Sequence, residues 1–136
     1  MVEQKPRLGS AAVVRKDDRI LLGKRGKQPG YGKWVLPGGG VDFLESYRDA
    51  AKREIWEETG LEVVVGDFIG VYEIIEAPDN HRVIIYSWAD YKGGEVRPSD
   101  DLLEAKFFTS EEVREIVRKE VDNDLLKKVL QDIGWL

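Results

Sequence analysis

The chain has 136 residues, the size of one ordinary domain, and its 42% hydrophobic and 35% charged residues suit a globular protein with a core. A net charge of −5 argues against general nucleic-acid binding, and the absence of cysteine excludes disulfides, thiolate metal sites and cysteine nucleophiles while suiting a reducing, cytoplasmic setting. No apolar run approaches the roughly 18 residues that cross a bilayer, and Met1 to Val14 has no signal-peptide core, so no membrane partner is expected.

Ala11 to Val14 and Ile20 to Leu22 read as two strands joined by a turn at Lys16-Asp17-Asp18. Gly26 to Gly32 reads as a loop, followed by a short apolar stretch, Trp34-Val35-Leu36, that Pro37 and Gly38-Gly39-Gly40 cut off. A helix follows with legible ends: Ser46 as cap, Asp49 three residues on in a capping-box-like pattern, and Gly60 as the left-handed stop. Leu61 to Ile75, rich in Val, Ile, Phe and Tyr, reads as strand interrupted at Gly66 and Gly70. Pro78-Asp79-Asn80 turns the chain, with His81, into a strand over Val83 to Trp88, and Gly93-Gly94 makes a further turn. Glu104 to Phe108 reads as a last short strand, and Glu111 to Ile133 as one or two amphipathic helices. Strands on both sides of a central helix, with helices at the end, indicate an α+β fold in a single domain over 1–136.

Charge is unevenly placed. Residues 1–34 carry nine basic side chains, whereas residues 42–62 are dominated by acids, an arrangement that suits cations and an anionic ligand held together. On the central helix, Glu54, Glu57 and Glu58 are spaced i, i+3, i+4 and fall within an arc of about 100°. A solvated helix intersperses lysines at such spacings, and the same arc holds Tyr47, Ala50 and Ala51, so these acids point toward the semi-buried side and need a counter-charge. With no cysteine and one histidine, a hard divalent cation bound through oxygen is the natural candidate, Mg²⁺ or Mn²⁺.

The segment Gly39-Gly40-Val41-Asp42-Phe43-Leu44-Glu45, seven further residues, and then Arg53-Glu54-Ile55-Trp56-Glu57-Glu58-Thr59-Gly60-Leu61 resembles the Nudix box, G-x5-E-x7-R-E-U-x-E-E-x-G-U with U a bulky aliphatic residue. Gly39, Glu45, Arg53, Glu54, Ile55, Glu57, Glu58, Gly60 and Leu61 fill all nine specified positions. The resemblance implies a mixed sheet with helices packed on either side. It also implies a hydrolase in which water attacks a phosphorus of a nucleoside diphosphate linked to a group X, with divalent cations neutralising the charge. By the same resemblance Glu54, Glu57 and Glu58 match metal ligands, Gly38 matches a glycine whose carbonyl reaches a metal, and Glu54 matches a general-base position. Arg53 and Glu45 match an orienting pair, read here as a salt bridge tying loop to helix.

Many members supply a further carboxylate from a loop after the box. Glu95, Asp100, Asp101 and Glu104 are the candidates, and Glu104 is preferred because it precedes Phe107-Phe108. The expected catalytic set is therefore Glu54, Glu57, Arg53 and Glu104. Leu21-Leu22-Gly23-Lys24-Arg25 and Leu36-Pro37-Gly38-Gly39 are similar to members acting on nucleoside triphosphates, including oxidised purine nucleotides, with ADP-ribose hydrolysis as the rival and a non-catalytic nucleotide sensor as a third reading. Arg25 and Lys33 are candidate phosphate contacts and Phe43 a candidate base platform, while Trp34, Trp56, Tyr72 and Trp88 read as packing and His81 as surface. The expected partner is a small nucleotide rather than a stable nucleic acid, and a homodimer is compatible with the sequence.

Overall fold

The structure, a computed structural model, describes residues 4–99, 101–120 and 122–136. Strand β1 (Arg7–Lys16) turns directly into β2 (Arg19–Arg25), with the pairs Arg15–Ile20 and Lys16–Arg19 closing the hairpin. The glycine-containing loop leads to β3 (Trp34–Val35) and β4 (Gly38–Gly40), and then to the helix α1 (Tyr47–Thr59). A long hairpin follows, β5 (Glu62–Glu76) with β6 (Asn80–Gly93), then β7 (Leu102–Phe108) and the helices α2 (Ser110–Lys119) and α3 (Asp124–Asp132). The sheet order is β3-β2-β1-β6-β5, with β4 added to β1 and β7 to β2. Among the described residues only β1 and β6 pair in parallel, so the sheet is mixed.

The run Ala11-Ala12-Val13-Val14 is buried throughout because both faces of β1 are covered. Ala11 and Val13, with Ile20 and Leu22 of β2, pack toward Val113 of α2 and Leu126, Val129 and Leu130 of α3. Their alternates Ala12, Val14 and Leu21 pack on the other face with Ile55 of α1 and with Leu61, Val63 and Ala89. The period-two alternation of the strands thus builds two cores back to back, with α1 on one face of the sheet and α2 and α3 on the other.

The helix ends follow their local chemistry. Ser46 accepts the Asp49 N–H at 3.1 Å, which is half of the expected capping box, and Gly60 closes α1 with φ 76°. The full reciprocal box forms at α2, between Thr109 and Glu112. The connection from β6 to β7 satisfies the last carbonyls of α1: Arg97 N–H donates to Thr59 at 2.7 Å, Ser99 N–H donates to Glu58 at 2.9 Å, and the Ser99 hydroxyl donates to Glu57.

Three expectations change. Gly38-Gly39-Gly40 does not merely end the apolar stretch; it forms β4, paired antiparallel with Gly9, Ser10 and Ala11 of β1. Glycine is required there by close approach, since a Cβ on Gly38 would overlap the Ser10 carbonyl oxygen and the Ala11 backbone. Gly66 and Gly70 do not break β5 but sit at register shifts in its pairing with β6, and His81 lies within β6 opposite Ile75 rather than in the turn. Gly38→Ala is expected to cost about 1–3 kcal/mol by overpacking β4 against β1. Urea denaturation checks this, and wild-type stability in that variant would contradict the β1–β4 pairing.

Candidate functional site

Arg53 organises α1 and the segment before it. Its Nε donates to Glu45 Oε2 at 2.8 Å and its Nη2 to Glu45 Oε1 at 3.0 Å, the bidentate fork of an arginine–carboxylate pair. Nη2 also donates to the Gly40 carbonyl at 2.9 Å and stands 3.5 Å from Asp42. Nη1 meets Glu54 Oε1 at 2.8 Å and Glu57 Oε2 at 3.2 Å. One guanidinium therefore ties the end of β4 and the turn at Asp42 to two acids on α1. The Arg53 hydrogen bond, aided by the Asp42 N–H, holds the Glu45 carboxyl down at about 2.

The two inner acids of α1 are in a different environment. Glu54 is half-buried against β4, so closely that a Cβ on Gly39 would overlap its carboxylate. Burial pushes the Glu54 carboxyl up, and Arg53 pulls it back. Glu58 is buried, and its Oε1 has no hydrogen-bond partner. Burial first, then the Glu54 and Asp101 carboxylates, push Glu58 up to about 8, against the Gly38 N–H and Arg25.

This donor set fits a hard cation. A buried carboxylate oxygen left without a donor, near the Glu54 and Asp101 carboxylates and a glycine strand with close backbone approach, is oxygen-ligand chemistry of the Mg²⁺ or Mn²⁺ type. Among the described residues no three acidic side chains already enclose such a point. Arg53 occupies Glu57 and one oxygen of Glu54, so these acids have a cationic partner already in place.

Gly38, Gly39, Glu54 and Glu58 open onto a cavity of about 1050 Å³. Arg25 and Lys33 line it as well; Arg25 Nε donates to the Pro29 carbonyl at 2.7 Å, and Lys33 pairs with Asp122 at 3.2 Å. Glu57 does not line the cavity and is held by Arg53. Glu104 is not brought there either: its place in β7 puts it opposite Lys24, 3.6 Å away. Asp101 lines the cavity in its stead, paired with Lys27 at 3.0 Å. Glu95 is exposed and Asp100 lies outside the described residues. Phe43 is 92% exposed, away from the cavity lining. Trp34, Tyr72 and Trp88 pack as expected, but Trp56 is 59% exposed on the outer side of α1. The signal that points to Asp101 is its position just before the apolar Leu102 that begins β7.

Comparison with known proteins is consistent with this geometry. A family model described as the NUDIX domain matches residues 5–132. An "ADP-ribose pyrophosphatase" of Methanocaldococcus jannaschii is 40% identical over 104 residues, which is 76% of this chain and 62% of that protein. An "oxidized purine nucleoside triphosphate hydrolase" of Mus musculus is 35% identical over 98 residues, 71% of this chain and 62% of that protein. The chain thus spans less than two thirds of the length of either relative. Among solved structures, a MutT NUDIX hydrolase from Burkholderia pseudomallei superposes with a TM-score of 0.74 at 35% identity, covering 80% of this chain and 87% of that one.

Glu58 sets the sign of a pH dependence. Between 4.5, its ordinary value, and about 8, the folded chain keeps a proton that the unfolded chain has lost. Stability from this group is therefore full at low pH and lost as pH rises through about 8. Glu45, held at about 2, is ionised in both states over that window and adds no slope. In EDTA the urea midpoint should fall from about pH 6 to about pH 8.5, and Glu58→Gln should flatten that fall. A wild-type midpoint that does not fall would contradict the environment described for Glu58.

Proposed function

The chain belongs to the Nudix family, and on that premise we propose that it is a divalent-metal-dependent hydrolase of the pyrophosphate linkage in a nucleoside diphosphate derivative. The proposed substrate is a nucleoside triphosphate, intact or with an oxidised base, giving the monophosphate and pyrophosphate. The observation that carries this reading is a single cavity lined by Glu54, Glu58 and Asp101 together with Arg25, Lys27 and Lys33. Acids alone would repel a phosphate chain; acids that hold cations, beside basic side chains, accept one. The triphosphate is preferred because Leu21-Leu22-Gly23-Lys24-Arg25 and Leu36-Pro37-Gly38-Gly39 resemble members acting on nucleoside triphosphates. A specific observation favours the second reading, ADP-ribose cleaved to AMP and ribose 5-phosphate: the 40% identity with the archaeal relative of that name.

In this mechanism Glu54, Glu57 and Glu58, with the Gly38 carbonyl, would hold the metal, Mg²⁺ or Mn²⁺. When bound, it supplies positive charge to the phosphate oxygens and makes water more acidic. The chain's own residues do the rest. Glu54 has Oε1 fixed by Arg53, which leaves Oε2 to take the proton from the attacking water. Burial pushes the Glu54 carboxyl up, which makes its carboxylate a stronger base. Water oxygen bonds to phosphorus, the bridging P–O bond breaks, and Arg25 and Lys33 hold the departing phosphate. Arg53 acts through Glu54 and Glu57 and is a positioning residue.

Incubation with Mg²⁺ and a pool of dGTP, 8-oxo-dGTP, CTP and ADP-ribose, with chromatography of the products, tests the reading. A monophosphate with pyrophosphate is expected; AMP with ribose 5-phosphate would move the chain to the second reading, and binding without turnover would favour a nucleotide sensor. Removal of metal with EDTA should stop turnover and Mg²⁺ should restore it, so undiminished activity in verified metal-free protein would contradict the mechanism. Glu57→Gln should lower kcat by about 100-fold or more while the far-ultraviolet dichroism is unchanged, and wild-type turnover would remove Glu57 from the metal set.

A further inference from the structure

A second group of cations lines the same cavity, with Arg25 in electrostatic reach of both Glu58 and Arg82. Arg7 on β1 and Arg82 on β6 are direct partners in the parallel register, and Arg25 is delivered by β2, which pairs with β3 and β7 rather than with β6. All three line the cavity. The Nε of Arg82 is buried and has no hydrogen-bond partner. Burial, together with the charges of Arg7 and Arg25, pulls Arg82 below its ordinary value, and Glu76 opposes this without reversing it. A buried donor without an acceptor, inside a field of like charge, is unfavourable as it stands, and a bound anion would relieve both costs.

The register places this cluster relative to the acids. Gly39, against which Glu54 rests, pairs with Ser10, and Arg7 lies three residues further along β1, roughly 10 Å at the rise of a strand. Beside that stretch, β6 presents Ile84 and Tyr86, both on the cavity and both in register with Gly9 and Ala11. The lining therefore runs from carboxylates, over an apolar floor, to guanidinium groups. A substrate attacked near Glu54 and Glu58 would have its anion at the far end.

We propose that Arg7, Arg25 and Arg82 form an anion subsite that receives a phosphoryl group of the substrate other than the one attacked. The proposal rests on the reading of the cavity as a site for a pyrophosphate-linked nucleotide, and it deepens that reading by assigning the recognition of the second phosphoryl group. That group has two sources, the outer part of a phosphate chain or the second phosphate of the cleaved linkage, which leaves on X. Pyrophosphate and ribose 5-phosphate are probes for the two.

Titration calorimetry of the whole protein in EDTA, with each probe in turn, tests this without metal. Wild type should bind one of them, more weakly as salt rises, and Arg82→Gln should weaken that binding about tenfold or more. Arg7→Gln, at an exposed strand position, should act in the same direction and serves if Arg82→Gln does not fold. Lys106→Gln, outside the cavity, removes the same charge and should leave binding unchanged. Arg82-dependent pyrophosphate binding assigns the subsite to a phosphate chain, and Arg82-dependent ribose 5-phosphate binding assigns it to a phosphate on X. Binding of neither probe by wild type, or equal binding by wild type and both arginine variants, overturns the subsite. Turnover in the product assay is independent of this result: a wild type that binds but hydrolyses nothing would refute the hydrolase reading and leave the subsite standing.

Discussion

The site depends on one side chain of α1 that ties the helix to the segment before it. Arg53 reaches from α1 to Glu45, to the carbonyl of Gly40 and to Asp42, and on its own helix to Glu54 and Glu57. An isolated exposed ion pair contributes about 0–1 kcal/mol, and what distinguishes this one is its bidentate, networked geometry. Its value is geometric. A planar guanidinium has its donors in fixed directions, and satisfying Glu45 bidentately leaves Nη1 aimed at Glu54, which lines the cavity, and at Glu57. Acids at i, i+3 and i+4 would otherwise repel one another and splay outward.

The sheet supplies the other half of the constraint. With α1 packed on one face and α2 and α3 on the other, β1 is fixed from both sides, and β4 is added to its edge by a backbone pairing that admits no Cβ at Gly38. This brings a strand of bare backbone against Glu54 and Glu58. The connection that leads into β7 binds the last carbonyls of α1 and carries Asp101 to the cavity. Fold stability and site geometry are thus joined through β1 and the C-terminal end of α1.

Much of this was legible in the chain because its causes are local. Ser46 and Gly60 mark the ends of α1, and the spacing of Glu54, Glu57 and Glu58 already implies a shared face. The parts that were not legible depend on register. Three successive glycines signal a turn by composition, and only the approach of β1 makes them a strand. Glu104 and Asp101 differ little as sequence, but the β2–β7 register sets Glu104 against Lys24 and leaves Asp101 at the cavity. Phe43 looked like a base platform by residue type, yet it lies in an exposed segment away from the cavity lining. Arg82 carried no sequence signal at all, because its neighbours Arg7 and Arg25 come from strands far away in the chain.

The measurement closest to the centre of this account is the turnover of Arg53→Lys, which keeps the positive charge and discards the fork. If Arg53 positions Glu54 and Glu57, kcat should fall by about 10²-fold or more while the urea midpoint moves little and KM stays near the wild-type value. A variant that turns over at the wild-type rate would contradict the claim, since a point charge would then serve as well as the oriented guanidinium.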